Sequence, residues 1–200
     1  MTKKTANPLI VGLAAGLFGF SLPTLASAEV RITEKTKNYI ITGTNARDFA
    51  RSMSKKGPYS RQHRKRAWAT ASRDLTFQIT RKKSRSGCRV RSVKVSLAIK
   101  YVLPKLASTR GVSARERKKW KRMKSLLVKH ERTHGRFYKE LAKKTERSIK
   151  RMAPAKSCQQ LERNALKLAK KLSAEDSARN DLFDARDSRN YRLMARIYGS

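Results

Sequence analysis

The pentapeptide His130-Glu131-Arg132-Thr133-His134 has the residue types and the spacing of a metal-dependent hydrolase. Residues four apart on a helix lie on one face about one turn from each other, so the two imidazoles can bind a single ion. Glu131 lies one step around the helix, where it cannot join them as a ligand but can reach a water on the ion. The spacing therefore predicts a zinc site with His130 and His134 as ligands and Glu131 as the catalytic base.

The alternative is that both residues are ordinary, half-buried helix histidines. The apolar stripe on which they lie favours the metal site, as does their share of the three histidines in the chain. Arg132 favours the alternative, because such motifs usually carry an uncharged residue at that position. The third histidine, His63, lies within 60–66 among four cations that disfavour a bound metal ion, which predicts a solvated loop histidine.

A long amphipathic helix is predicted to present the motif. Ser113 and Glu116 have the spacing of a capping box, and Pro154 marks the end of the helix. Between them apolar residues recur at three- and four-residue steps, namely Trp120, Met123, Leu127, Phe137, Leu141, Ile149 and Met152. A second helix is predicted from about Ser157, and after Ser173 the chain is expected to be helical at first and then an irregular tail.

The half before this helix indicates short strands and one helix. Val30/Ile32 and Tyr39/Ile41 predict two strands, and the stretch from Asn45 to Gly57-Pro58 predicts a helix with an apolar face. Residues 68–80 and 93–101 alternate apolar and polar side chains, which indicates neighbouring antiparallel strands with one buried face. The predicted fold class is α+β: N-terminal antiparallel strands with one helix, packed against two or more long C-terminal helices that carry the HExxH motif.

Residues 1–28 have the three parts of a secretory signal peptide. Lys3 and Lys4 give a positive start, an apolar run follows from Pro8 to Leu25, and Ala26-Ser27-Ala28 offers small residues to a signal peptidase. An uncleaved membrane anchor is the alternative, disfavoured by the glycines and the proline of the run. We expect cleavage, an exported protein, and a single domain over 29–200 with no transmembrane segment.

The chain has two cysteines, Cys88 and Cys158, and an exported protein meets an oxidising environment. We therefore expect one disulfide between them. Two unpaired buried thiols are the alternative. Zinc ligation is disfavoured, because neither cysteine belongs to a Cys-x-x-Cys pair.

A formal net charge of +36 on 200 residues attracts polyanions. The cations cluster in 61–66, 81–85, 115–124 and 143–151. We do not expect nucleic acid as a partner, because the protein is predicted to be exported and aromatic residues do not interleave with the cations. We expect anionic lipid headgroups or cell-wall polymers to retain the protein in the cell envelope.

Several short motifs, in order along the chain, resemble the bacterial family of predicted secreted zinc-dependent proteases that carries the domain of unknown function 922. These motifs are Tyr39-Ile40-Ile41-Thr42-Gly43-Thr44, Gly57-Pro58, Trp68, Gly87-Cys88-Arg89-Val90, Leu103-Pro104, Trp120, the HERTH sequence and Cys158. The resemblance covers nearly all of 29–200. It implies a zinc metallopeptidase that acts on peptides or proteins.

The same resemblance gives a first candidate for a third metal ligand. The family's closing segment has the form Tyr-Asp-x-x-Thr-x-His-Gly, and this chain keeps the aspartate as Asp184 but has Asp187 and Arg189 at the threonine and histidine positions. A helix returning antiparallel would bring Asp184 to the site. Glu140 and Glu146 are the alternatives. Loss of the C-terminal histidine leaves open whether the enzyme is active.

Three functions follow from these residues. The first is a zinc peptidase of the cell envelope, and the second is a non-catalytic, strongly basic protein that binds envelope polyanions. The third is a zinc amidase acting on peptidoglycan. Tyr138 and Tyr191 could donate a hydrogen bond to an oxyanion, but their spacing selects neither, so both are expected to be packing residues.

Overall fold

The computed structural model describes residues 29–60 and 64–199, with side chains for 30–60 and 64–188. The predicted signal peptide and His63 lie outside these residues. The α+β fold class is confirmed: strands and one helix come first, and two long helices follow. One hydrophobic cluster draws residues from the sheet and from all three helices.

Three long strands form the main sheet, in the order β1-β5-β4. β4 (Thr70–Ser84) and β5 (Gly87–Leu106) pair antiparallel, as the alternation predicts. The prediction of two short strands near the N-terminus is wrong, because β1 is one strand over Glu29–Ile41. β1 also pairs parallel to β5, not antiparallel, through a ladder that continues from Glu29 opposite Lys94 to Ile41 opposite Leu106.

The first helix lies between β1 and the hairpin. α1 spans Ala46–Lys56, where Asn45 accepts a hydrogen bond from the amide of Asp48 and Gly57 follows the last turn, so the predicted bounds are confirmed. Phe49 and Met53 are buried on its inner face. A two-stranded ribbon, β2 (Tyr59–Ser60) with β3 (Lys65–Arg66), follows.

α2 spans Ala114–Lys150, and Ser113 caps it by accepting a hydrogen bond from the amide of Glu116. The predicted capping box is only half present. Instead of reaching back to Ser113, the Glu116 carboxylate accepts a 2.7 Å hydrogen bond from the amide of Ala46. This acid therefore joins the start of α2 to the start of α1.

α3 spans Cys158–Gly199 as one helix, so the expected irregular tail is wrong. The predicted disulfide between Cys88 and Cys158 is confirmed, and it ties the start of β5 to the start of α3. Two backbone hydrogen bonds between Cys88 and Ala155 reinforce the same junction. None of the helices in the described part of the chain combines the length and the apolar character that a membrane span needs.

Candidate metal centre

Gly135 lets α2 lie directly on the sheet. A Cβ at this position would overlap the hydroxyl of Tyr101 on β5, so any other residue would force the helix or the Tyr101 ring to move. The contact fixes the orientation of the HERTH turn. Glu131 and Tyr138 face β4, Arg132 and Lys139 face β1, and His130 and His134 face α3.

Three ligand atoms from α2 and α3 converge at this point. The Nε2 atoms of His130 and His134 are 3.0 Å apart, and Oδ1 of Asp184 lies 3.1 Å from the first and 2.9 Å from the second. Among the described side chains this is the one group of three His, Cys, Asp or Glu residues that could hold a metal ion. The structure thus brings together the two histidines and the first candidate for the third ligand.

The partners of the two rings fix which nitrogen carries hydrogen. Nδ1 of His130 lies 2.7 Å from a carboxylate oxygen of Asp187, and Nδ1 of His134 lies 2.5 Å from Oδ1 of Asn180. Both oxygens are acceptors, so each Nδ1 is a donor. Each Nε2 of a neutral ring then carries a lone pair directed at the other and at Asp184.

Three acceptors this close together repel one another unless a cation or a proton lies among them. Oδ1 of Asp184 is fully buried and receives no well-directed hydrogen bond, although both nitrogens are near it. A tetrahedral zinc ion with ligands at about 2.0–2.1 Å would hold its ligand atoms roughly 3.3 Å apart. The observed separations of 2.9–3.1 Å are close to that value, so the residues fit a zinc ion.

The ionisation of the three groups agrees with this arrangement. Burial alone would lower the pKa of both imidazoles, but the hydrogen-bonding carboxylates and Asn180 outweigh it and raise both. Burial alone would raise the pKa of Asp184, but the two imidazoles hold it well below its ordinary value. The environment therefore favours a proton on the imidazoles and a charged Asp184, and binding of a metal ion would displace such a proton.

A chain of hydrogen bonds holds His134 from behind. Asn180 presents its Oδ1 to the ring because its Nδ2 donates to the backbone oxygen of Asp176 at 2.7 Å and to the Asp176 carboxylate at 3.2 Å. That carboxylate pairs with Arg73 of β4, whose nitrogens lie 3.0 and 3.2 Å away. Asn180 and Asp176 are both buried, so the orientation of the ring is set by groups shielded from water.

Glu131 is buried, with 4% of its surface exposed, and it faces the first residues of β4. Burial raises the pKa of its carboxyl to about 7, although the two neighbouring imidazoles and the amide of Ala71 favour the charged form. A carboxyl with a pKa near neutrality can both accept and return a proton at physiological pH.

Arg132, the unusual charged residue of the HERTH sequence, has a structural role. Arg132 donates a 2.6 Å hydrogen bond to Glu34 of β1 and lies over the ring of Tyr101, with 4.3 Å between the guanidinium carbon and the ring centroid. Lys139 and the Tyr101 hydroxyl contact the same carboxylate. Arg132 therefore ties α2 to the edge strand and points away from the three ligand atoms.

Phe183 covers the rings on the α3 side. Its ring stacks on His130 at 4.8 Å between centroids and meets His134 edge-on at 5.2 Å. Only 9% of His130 and 7% of His134 remain exposed, whereas the Asp184 side chain is 36% exposed. Asp184 is therefore the candidate ligand nearest to solvent, although its Oδ1 atom is itself buried. Tyr138 donates a 3.3 Å hydrogen bond to the Ala71 carbonyl, which agrees with a packing role.

The other candidate ligands lie away from the centre. Glu140 forms a surface ion pair with Arg179 at 2.6 Å, and Glu146 is buried about three helical turns beyond His134. Asp187, at the family's threonine position, supports His130 through Nδ1. The side chains of Arg189 and Tyr191 lie outside the described residues.

Sequence reasoning missed Asp176, Asn180 and Arg73. The signal was present on α3, where Asp176, Asn180, Asp184 and Asp187 recur at steps of four, four and three residues. Such a polar stripe on a helix whose other polar face is basic indicates a buried network. Nothing in the sequence around Arg73 distinguishes it from the other arginines.

Comparison with known proteins gives one match. The family model described as a bacterial protein of unknown function, domain of unknown function 922, matches residues 36–190. No curated protein and no solved structure matches the chain. The matched range includes the disulfide, the HERTH turn and all three candidate ligands.

Proposed function

Because this chain belongs to the bacterial family with the domain of unknown function 922, which has no assigned function, we propose its function from the site: a zinc-dependent peptidase. The observation that carries the proposal is the convergence of His130 Nε2, His134 Nε2 and Asp184 Oδ1 beside the buried carboxyl of Glu131. Three protein ligands with one further position open to water is the composition of catalytic zinc sites, whereas structural sites are usually closed by four.

The proposed reaction is hydrolysis of a peptide bond. A zinc ion held by His130, His134 and Asp184 would acidify water and polarise the substrate carbonyl. Glu131 accepts a proton from the attacking water, whose oxygen bonds to the carbonyl carbon. As the C–N bond breaks, Glu131 passes the proton to the leaving nitrogen, and a carboxylic acid and an amine result.

We also propose that the protein is exported and acts in the periplasm or outside the cell, as one domain over 29–200 after removal of 1–28. The Cys88–Cys158 disulfide supports this location, because structural disulfides persist in oxidising compartments. Peptide bonds of proteins and the amide bonds of peptidoglycan are both available there. If the substrate is an amide bond of peptidoglycan, the same zinc chemistry makes the protein an amidase.

The test combines zinc content with cleavage. Wild-type protein and His130→Ala are loaded with zinc and analysed for bound metal, and the wild type, Glu131→Gln and Glu175→Gln are assayed on a peptide library and on peptidoglycan fragments. Glu175 is the matched control, an exposed glutamate on α3 paired with Lys144. We expect one zinc ion per chain, lost in His130→Ala, and cleavage that is abolished only by Glu131→Gln. Cleavage that survives Glu131→Gln would remove this mechanism.

One observation favours a second function, a non-catalytic protein stabilised by its metal. The histidine rings are more than nine-tenths buried, and Phe183 lies against both. Replacement of zinc by Co²⁺ distinguishes the two functions, because a peptide hydroxamate can alter the visible spectrum only if a coordination position is open. An unchanged spectrum, together with absence of cleavage, would favour the non-catalytic protein.

A further inference from the structure

The main sheet has an exposed face on the side away from α2. Alternate residues of its three strands point there, and the others are packed in the core, as Val95, Leu97 and Ile99 are. The exposed residues include Thr33, Lys35 and Lys37 on β1, Ser96, Ala98 and Lys100 on β5, and Ser72, Asp74 and Thr76 on β4. No part of the zinc mechanism uses this face.

Strand register makes the middle of this face concave. Thr33, Ala98 and Asp74 lie side by side in one row, and Lys35, Lys100 and Ser72 lie in the next. The row of Thr33, Ala98 and Asp74 therefore carries short side chains, and the next row carries the two long side chains of Lys35 and Lys100. The result is an open depression of about 610 Å³, hereafter the trough, lined by Thr33, Lys35, Thr36, Lys37, Ser72, Arg73, Asp74, Ala98, Ile99 and Lys100.

Three neighbouring lysines of the trough lie close together without an acidic partner. Lys35 lies directly opposite Lys100 in the β1–β5 ladder, and Lys37 is the next residue of β1 on the same face. None of the three forms an ion pair with the described residues, whereas Glu34 beside them pairs with Arg132 and Lys139 on the other face. Like charges directly opposite in a sheet are destabilising, so the free protein carries a repulsion that a bound anion would offset.

We propose that the trough binds a strand of a linear acidic glycan. Neighbouring strands are about 4.8 Å apart and alternate residues of one strand about 6.6 Å, so the three ammonium groups form a short array that suits regularly spaced carboxylates. The aliphatic stems of the lysines offer apolar surface to sugar rings. Thr33, Ser72 and the Asp74 carboxylate offer hydrogen-bonding groups to sugar hydroxyls.

The lining disfavours the two other polyanions that a basic protein meets. It includes no aromatic residue on which the bases of a single-stranded nucleic acid could stack. Its concavity keeps its centre from a flat bilayer, and no large apolar side chain projects from it to enter the lipid. Asp74 repels any anionic group placed beside it, but it can accept hydrogen bonds from the hydroxyls that lie between the carboxylates of a glycan.

The test compares two triple variants with the same net charge. Lys35, Lys37 and Lys100 are changed to Gln in the first, and the exposed helix residues Lys118, Lys121 and Lys167 are changed to Gln in the second. Affinity for an oligogalacturonate is measured at about 150 mM salt. An oligothymidylate of equal charge and vesicles containing phosphatidylglycerol serve as the competing probes. Thermal melting verifies that every variant is folded.

We expect the trough variant to lose roughly tenfold or more of its oligogalacturonate affinity and the helix variant less than about threefold. Without ligand, the trough variant should melt at or above the wild-type temperature because the repulsion is gone. Equal losses in the two variants would show that net charge alone binds the glycan and would overturn the proposal. A trough variant that loses affinity mainly for oligothymidylate or for vesicles would also overturn it. Metal content plays no part in this binding, so the outcome is independent of the proposed peptidase.

Discussion

Nδ1 of His134 lies 2.5 Å from Oδ1 of Asn180, a residue 46 positions further along the chain. The amide end of Asn180 donates to Asp176, so the asparagine cannot turn around without breaking that contact. The orientation of one candidate ligand on α2 is therefore set by a neutral side chain on α3. Because Arg73 of β4 in turn holds Asp176, the sheet contributes to the same ring position.

Removal of the Asn180 side chain should lower the affinity of the site for zinc without removing a metal ligand. We expect Asn180→Ala to lower zinc affinity by about 10- to 100-fold, since the ring loses both its fixed tautomer and its orientation. Competition with a chromogenic chelator measures the change. Asn164→Ala, on an exposed turn of the same helix, is the matched control and should leave the affinity unchanged. Wild-type affinity in Asn180→Ala would contradict a positioning role.

The metal-free protein should become less stable as pH rises from about 5 to 8. Burial raises the pKa of Glu131 from 4.5 to about 7, so the folded state holds this proton more tightly than the unfolded chain. The unfolding free energy therefore falls between these two pKa values, by roughly 3 kcal/mol. The raised pKa values of His130 and His134 act in the same direction, because their stabilisation is lost as pH rises through the folded values.

The Glu131→Gln variant isolates the contribution of this glutamate to the pH dependence of the unfolding free energy. Urea unfolding of the metal-free variant should show a flatter pH dependence than that of the wild type, and the remaining slope belongs to the histidines. Glu175→Gln, at an exposed position, should follow the wild-type curve. If all three proteins share one slope, Glu131 does not carry the raised pKa.

Close approach of α2 to β5 makes a double-mutant prediction possible. Gly135→Ala should lower the unfolding free energy by about 1–3 kcal/mol, because its Cβ would overlap the Tyr101 hydroxyl. Tyr101→Phe removes that oxygen, so the double variant should recover part of the loss. Recovery stays partial, since the ring carbon Cζ would still lie 2.9 Å from the new Cβ. Additive effects of the two substitutions in urea unfolding would argue against the contact.

Reduction of the Cys88–Cys158 disulfide should lower the free energy of unfolding. Cys88 and Cys158 close a loop with a sequence separation of 70, worth about 4 kcal/mol in the chain-entropy description. The Cys88→Ser/Cys158→Ser variant should unfold at lower urea concentration by a corresponding amount. Wild-type protein in reductant provides the control and should match the variant. Coincident curves for the oxidised wild type and the variant would mean that the bond adds no stability.

Local sequence patterns predicted the individual strands and helices better than they predicted how the strands pair in the sheet. The alternation in β4 and β5 and the stripe of α2 are properties of single segments, so both could be recognised in the sequence. Parallel pairing of β1 with β5 depends on a crossover through α1 and β4, and alternation alone does not distinguish parallel from antiparallel neighbours. The sequence predicts two strands in place of β1 because the middle of β1, Thr33 to Asn38, is polar on both faces.

The candidate site was predictable where its residues share one helix. His130, Glu131 and His134 lie within two turns, whereas Asp184 was reached only through the family resemblance. Asn180 and Asp176 lie on a helix whose apolar stripe fades after Leu172, and a polar residue buried by a neighbouring helix then looks like a solvated one. Arg132 counted against the site in the sequence. Its partners, Glu34 and Tyr101, belong to strands that only the tertiary fold brings beneath it.

α3 is fastened at two points by different chemistry. Cys158 anchors its first turn covalently, and Asp184, about seven turns later, would anchor it through the metal ion. A reductant acts on the first attachment and a chelator would act on the second, while the buried side chains of Leu161, Ala165 and Leu172 hold the helix between them. Either agent should therefore produce local fraying before global unfolding. The two together should loosen both ends of the helix, while its middle stays packed in the hydrophobic core through Ala165 and Leu168.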